Sequence, residues 1–155
     1  IATIQARMGS SRLPGKVLKD IHGKPMILRQ VERLKNSRLI DNIIIATSKS
    51  TKDDVIEEFC LKNNIEFFRG SEDDVLRRIC DTLERFKIDI HVELHGDSPL
   101  VDYQIVDELI GLFLKNKPLQ TLNRASVHEE RCQNGLSLLN MYRDEKKKKV
   151  FHVNN

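Results

Sequence analysis

Along the first two-thirds of the chain, short β-branched runs alternate with apolar stripes spaced three and four residues apart. That alternation is the pattern of a mostly parallel sheet covered by helices. Ile1–Ala6 reads as a strand and runs straight into a loop rich in Gly and Ser. Pro25 then opens a helix, where its missing N–H costs nothing, and Met26, Leu28, Val31 and Leu34 give that helix an apolar side. Ile43-Ile44-Ile45-Ala46 predicts a strand buried on both faces. Thr51 and Asp54 have capping-box spacing ahead of a stripe of Val55, Ile56, Phe59 and Cys60.

Ile65 to Phe68 predicts a third strand. Ser71 and Asp74 repeat the capping spacing before Val75, Ile79, Leu83 and Phe86. His91-Val92-Glu93-Leu94 predicts a fourth strand ending in His95-Gly96-Asp97. Asp102 is placed to cap a last helix, with Ile105, Val106, Leu109, Leu112 and Phe113 inside. The expectation is one α/β domain over 1–155, clear to residue 116 and divergent or incomplete over 117–155. Past Pro118, Thr121-Leu122-Asn123 suits a strand, Arg124 to Gln133 has no period, and Leu136 to Tyr142 is apolar again. This break, with the lack of an initiator Met, suggests that the sequence is not the whole gene product.

Composition narrows the class. The chain is 39% hydrophobic and 32% charged, an ordinary balance for a folded soluble protein. Its formal charge of +3 owes much to the run Lys146 to Lys149, which reads as a solvated surface segment. No aromatic platform or amphipathic helix backs that run, so neither a nucleic acid nor a membrane is an expected partner. No apolar run nears the roughly 20 residues that span a bilayer. The chain starts on a strand, and no signal peptide is expected. Cys60, Cys80 and Cys132 lack CxxC spacing, which fits reduced thiols in a cytoplasmic protein.

In an open parallel sheet, ligands bind at the carboxyl ends of the strands, so the loops there are where chemistry should converge. The first loop, Arg7-Met8-Gly9-Ser10-Ser11-Arg12-Leu13-Pro14-Gly15-Lys16, places two Arg, one Lys, two hydroxyls and two Gly directly after a strand. Gly permits close backbone approach to an anion, and Arg and Lys supply charge-assisted hydrogen bonds to phosphate. The loop has neither the Walker A order nor GxGxxG. In the fourth loop, Asp97 is suited to hold Mg²⁺ bound to phosphates, although an Asx-turn ahead of Pro99 would explain it too.

Thr47 and Ser48 could touch a base or ribose, or simply cap a turn. Arg69 suits a phosphate or a sugar carboxylate, and equally a solvent-facing position. His95 is the one histidine in a candidate site, as a hydrogen-bonding group rather than a base. Without HxxxH, HExxH or GxSxG, neither zinc nor hydrolase chemistry has support.

Gln5 to Lys16, followed by Ile21-His22-Gly23-Lys24-Pro25-Met26, resembles the opening of the acylneuraminate and 3-deoxy-manno-octulosonate cytidylyltransferases. Phe68-Arg69-Gly70-Ser71-Glu72-Asp73-Asp74-Val75-Leu76 and Gly96-Asp97-Ser98-Pro99-Leu100 are similar to the branch named for the spore-coat polysaccharide biosynthesis protein SpsF. The resemblance implies a Rossmann-like nucleotidyltransferase fold, a mostly parallel sheet flanked by helices. It implies that Arg7, Ser10, Ser11, Arg12 and Lys16 wrap an NTP triphosphate and that Asp97 binds Mg²⁺. Met8, Gly9, Thr47, Ser48, Arg69 and His95 complete the expected nucleotide site, with Lys16 and Arg12 neutralising charge as an oxygen of a sugar acid or sugar phosphate attacks the α-phosphate.

CTP is the usual nucleotide of such enzymes, GTP or another NTP being the close alternative. A homodimer is implied by the resemblance alone. The competing class, a nucleotide-sugar-binding glycosyltransferase or a non-catalytic partner of one, is disfavoured because no DxD motif stands at Asp97.

Overall fold

A computed structural model describes residues 1–10, 12–116 and 150–152. The expected strand at Thr121–Asn123, the apolar stretch 136–142, the Lys run, Cys132 and Ser11 lie outside the described residues. One sheet carries β1 (Ala2–Gln5), β4 (Ile43–Ser48), β5 (Glu66–Gly70), β6 (His91–His95) and β7 (Val150–His152) in the order β5-β4-β1-β6-β7. Every pairing in it is parallel. Between β1 and β4 come a short hairpin, β2 (Asp20–Ile21) and β3 (Lys24–Pro25), and the helix α1 (Met26–Leu34). Helices α2 (Asp54–Lys62), α3 (Val75–Arg85) and α4 (Tyr103–Asn116) follow β4, β5 and β6.

From β1 the chain winds outward through β4 to β5 and then returns to β6 on β1's other side. The winding direction therefore reverses at β1, and a crevice opens beyond the strand ends there. The hairpin escaped the sequence pattern because two-residue strands carry no period. Its turn is legible in hindsight: His22 and Gly23 both have positive φ, 50° and 80°, as a primed two-residue turn requires.

The two sheet faces differ. On one, Ala2, Ile4, Ile43, Ile45, Val92 and Leu94 pack with Ile27 and Val31 of α1, Ile56 and Cys60 of α2, and Val106 and Ile110 of α4. Fully burying each aliphatic side chain contributes roughly 1.5–3 kcal/mol, so this face supplies most of the cohesion. The other face has a smaller apolar cluster of Ile44 with Ile79 and Leu83 of α3. Because strand side chains alternate, it also carries Thr3, Gln5, His91 and Glu93. Thr3 and His91 share a hydrogen bond of 2.6 Å in the interior.

Three sequence readings need correction. Val55 is 41% exposed, so the α2 stripe narrows to Ile56 and Cys60, with Phe59 partly buried. On α4 only Val106 and Ile110 are buried, while Ile105, Leu109 and Leu112 point outward. The two capping-box spacings open turns rather than helices. Thr51–Asp53 is a 3₁₀ turn ahead of α2, and Asp74 itself is the N-cap of α3, accepting from the Arg77 N–H at 2.8 Å. The Asp102 cap is present, its carboxylate accepting from the Gln104 N–H at 2.8 Å.

Gly70 ends β5 directly under α3. A Cβ there would stand 2.6 Å from Arg78 Cγ and 3.1 Å from its Cα, so the helix backbone itself would have to move. Gly70→Ala is expected to lower unfolding free energy by about 1–3 kcal/mol, read from urea denaturation. An unchanged midpoint would show that α3 is not seated as closely as described.

Candidate active site

The first loop is held from beneath by a buried carboxylate. Asp53, 2% exposed, accepts from the Met8 N–H at 2.7 Å through Oδ1. Through Oδ2 it accepts from the Ser48 N–H at 3.2 Å and the Ser48 hydroxyl at 2.5 Å. Three donors compensate the desolvation of that carboxylate, so the contact fixes the loop without leaving an orphaned charge. The Met8 carbonyl in turn accepts from the N–H groups of Ser10 and Gly15, at 2.9 and 3.0 Å, which brings Gly15 back beside the start of the loop. Gly15 completes it at φ +68°, a left-handed conformation that favours glycine. Lys16 and Val17 then enter a 3₁₀ turn.

The fourth loop meets the first through backbone. The Gly96 N–H donates to the Gln5 carbonyl at 2.9 Å. A Cβ at Gly96 would stand 2.7 Å from that oxygen and 3.3 Å from Ala6 Cβ. Gln30 of α1, fully buried, donates from Nε2 to the His95 carbonyl at 2.9 Å and steadies the strand end. Across the junction Lys16 Nζ donates to Asp97 Oδ2 at 2.5 Å, although 81 residues separate them. That hydrogen bond is the main reason the Asp97 carboxyl lies below the usual range; partial burial opposes it.

Between the loops opens a cavity of about 570 Å³. Arg7, Gly9, Ser10, Arg12 and Lys16 border it from the first loop, His95 and Asp97 from the fourth. It therefore holds three basic side chains of the first loop and one acidic side chain of the fourth, an arrangement suited to a polyanion with a metal. Met8 is not on its lining; the side chain packs into the core and the backbone anchors the loop. Thr47 and Ser48 are also absent from the lining and fully buried, Ser48 engaged with Asp53.

Arg69 is turned into a separate network. It donates to Asp54 at 2.6 Å, Glu57 at 2.5 Å, and the carbonyls of Ser48 and Ser50 at 2.9 and 2.8 Å. In that position it ties β5 to the start of α2, a structural use of the guanidinium.

Four residues that sequence reasoning did not single out shape the site. Asp53 is one; Gln5, Arg78 and Glu93 border the cavity as the others. Arg78 of α3 is 2% exposed, donating from Nε to Gln5 Oε1 at 3.1 Å and from Nη1 to the Ser71 carbonyl at 2.5 Å. Burial lowers its pKa first, and neighbouring Arg7 adds to that. Glu93 is 1% exposed, and burial pushes its carboxyl up to about 7 against the opposing effect of Arg78. A signal was present: polar residues at every second position of an interior strand, His91, Glu93 and His95, mark a face that is not simply core.

A family model described as cytidylyltransferase matches residues 1–154. The spore coat polysaccharide biosynthesis protein SpsF of Bacillus subtilis (strain 168) is 41% identical over 111 residues, 69% of this chain and 46% of that protein. Among solved structures, a cytidylyltransferase from Leptospira borgpetersenii serovar Hardjo-bovis (strain JB197) superposes with a TM-score of 0.76 at 32% identity. That match covers 99% of this chain and 75% of the other. A CMP:2-keto-3-deoxy-manno-octonic acid synthetase complexed with CTP gives a TM-score of 0.65 at 29% identity, covering 75% of this chain and 47% of that one. The chain spans about half the length of the curated relatives it matches.

Removing the Asp53 carboxylate would leave buried N–H groups of Met8 and Ser48 without their acceptor. Asp53→Ala is expected to cost about 2–4 kcal/mol in denaturant unfolding, and to speed amide exchange across residues 8–16 beyond the global change. Native-like exchange in that loop would show that the carboxylate does not hold it.

Proposed function

The chain belongs to the cytidylyltransferase family, and from that premise we propose that it activates a sugar acid or sugar phosphate by cytidylyl transfer from CTP, for surface polysaccharide synthesis. The observation carrying the reading is the meeting of Lys16 and Asp97 in a cavity rimmed by Arg7 and Arg12 at the sheet's switch point. An oxygen of the sugar forms a bond to the α-phosphorus, and the bond to the oxygen bridging towards the β-phosphate breaks, so pyrophosphate leaves. Such transfers ask the protein chiefly for positioning and charge stabilisation. Arg7, Arg12 and Lys16 bind phosphate oxygens, and Ser10 adds a hydroxyl to the same loop.

Mg²⁺ fits the donor set. Asp97 offers a half-exposed carboxylate at the cavity edge, and Mg²⁺ commonly takes one or two carboxylates with phosphate oxygens and water. When bound, the ion supplies neutralising charge to the triphosphate. In this reading Lys16 leaves Asp97 for the phosphates as the nucleotide enters. The pair is 32% and 44% exposed, and an ion pair so solvated holds by no more than about 1 kcal/mol, so its separation is cheap.

The relatives that support CTP and a sugar acid are the octulosonate enzymes, one of them a structure with CTP. The same reading places the protein in the cytoplasm as a homodimer. No helix among the described residues is long and apolar enough to cross a membrane.

Pyrophosphate release is expected only with CTP, a sugar acid or sugar phosphate, and Mg²⁺ together. Lys16→Ala and Asp97→Ala should each lower turnover by about 100-fold or more while leaving the melting temperature nearly unchanged. Near-normal turnover in either variant would remove that residue from the mechanism.

A further inference from the structure

The cavity has a second polar group, carried by β1, β6 and α3. Gln5 at the end of β1, Glu93 in the middle of β6 and Arg78 on α3 border it together. Their burial needs a reason, because on the opposite face the same strands place Ile4 and Leu94, and an aliphatic pair would hold the sheet at lower cost. Glu93 precedes Asp97 by four residues on the same strand and its loop. At ~3.3 Å per residue that is roughly 13 Å of extended chain, so Glu93 is set well back along β6 from the carboxylate of Asp97.

The donors and acceptors differ in kind. Arg78 presents a guanidinium already oriented by Gln5 and the Ser71 carbonyl. Gln5 Nε2 is a buried donor with no hydrogen-bond partner among the described residues. Glu93 supplies a carboxylate acceptor. Cytosine presents one amino donor beside two acceptors, N3 and O2. Uracil presents an acceptor where cytosine has the amino group, and a donor at N3.

We infer that Glu93, with Arg78 and Gln5, reads the pyrimidine edge of the bound nucleotide, Glu93 accepting from the amino group of cytosine. This rests on the proposed nucleotide site and names its base-selecting residues. The specificity is of the sort in which a mismatched base strands buried polar groups. An ionised Glu93 faces the uracil O4 lone pairs unfavourably, whereas a protonated Glu93 can donate to them. Its environment makes that difference accessible. Arg78 from α3 is the charged group acting on Glu93; β1 contributes the neutral Thr3 and Gln5, β6 the histidines His91 and His95, and His152 is its register partner on β7. Burial holds the carboxyl at about 7, so it is mainly protonated below that pH and ionised above it.

The test is equilibrium binding of CTP and of UTP to the full chain with Mg²⁺, by calorimetry, from about pH 6 to about pH 8, the range over which Glu93 changes charge. Triphosphate protonation is common to both ligands and cancels in the ratio of their affinities. The wild type is expected to favour CTP, with the CTP-to-UTP ratio rising severalfold across that range. Glu93→Gln should lower the ratio by about tenfold at the upper pH, the size of one charged hydrogen bond, and make it independent of pH. If Glu93→Gln does not fold, the pH profile of the wild type decides alone.

Binding of both nucleotides with a ratio near one, or a CTP preference that is flat with pH and unchanged in Glu93→Gln, overturns the inference and leaves the nucleotide site standing. Binding of neither overturns both.

Discussion

The site depends on one backbone contact, the 2.9 Å hydrogen bond from Gly96 N–H to the Gln5 carbonyl. It joins the ends of two adjacent parallel strands at the point where the sheet reverses its winding. Only a residue without a Cβ fits, since that atom would stand 2.7 Å from a backbone oxygen that has no rotamer by which to retreat. With the strands joined there, Lys16 in the first loop reaches Asp97 in the fourth, and a basic loop and an acidic one share a single cavity. Neither loop alone would suit a nucleotide triphosphate with a divalent ion.

The asymmetry of the sheet follows from the same arrangement. Three helices and a large apolar cluster cover one face, and α3 with a small cluster covers the other. The crowded face carries the cohesion, which lets the thinner one accommodate Arg78, Glu93 and the Thr3–His91 pair. Burying such groups costs free energy unless they are hydrogen-bonded, and Arg78 is, to Gln5 and to the Ser71 carbonyl. Asp53 belongs to this economy too: it gives up capping α2 to hold the Met8 and Ser48 backbone.

The fold was legible wherever short apolar runs alternated with helical stripes, and β1, β4, β5 and β6 lie where Ile1–Ala6, Ile43–Ala46, Ile65–Phe68 and His91–Leu94 predict them. The orientation of α4 was legible only in part: Ile105, Val106, Leu109, Ile110, Leu112 and Phe113 form one broad apolar stripe, and the structure buries only its Val106–Ile110 edge, which periodicity alone does not select. Asp53 was hidden because its partners are Met8, 45 residues away, and a neighbouring serine, while local rules assign an Asp before a helix to capping. Arg69 could be read either way from sequence, and its placement was decided by Asp54 and Glu57 on the facing helix. The structure brings Arg7, Gly9, Ser10, Arg12, Lys16, His95 and Asp97 to one cavity, a convergence that follows from their places at the strand ends of a parallel sheet.

The contact between the loops is also where the account is most exposed. Calorimetric titration of CTP with Mg²⁺ into Gly96→Ala, beside the wild type, tests it directly. If the joined loops make the site, the added methyl separates them and weakens binding by at least about tenfold, the scale expected when groups that must act together are displaced by a fraction of an ångström. Its circular dichroism should stay native. A Gly96→Ala protein that folds and binds CTP as tightly as the wild type would contradict the claim that this contact assembles the site.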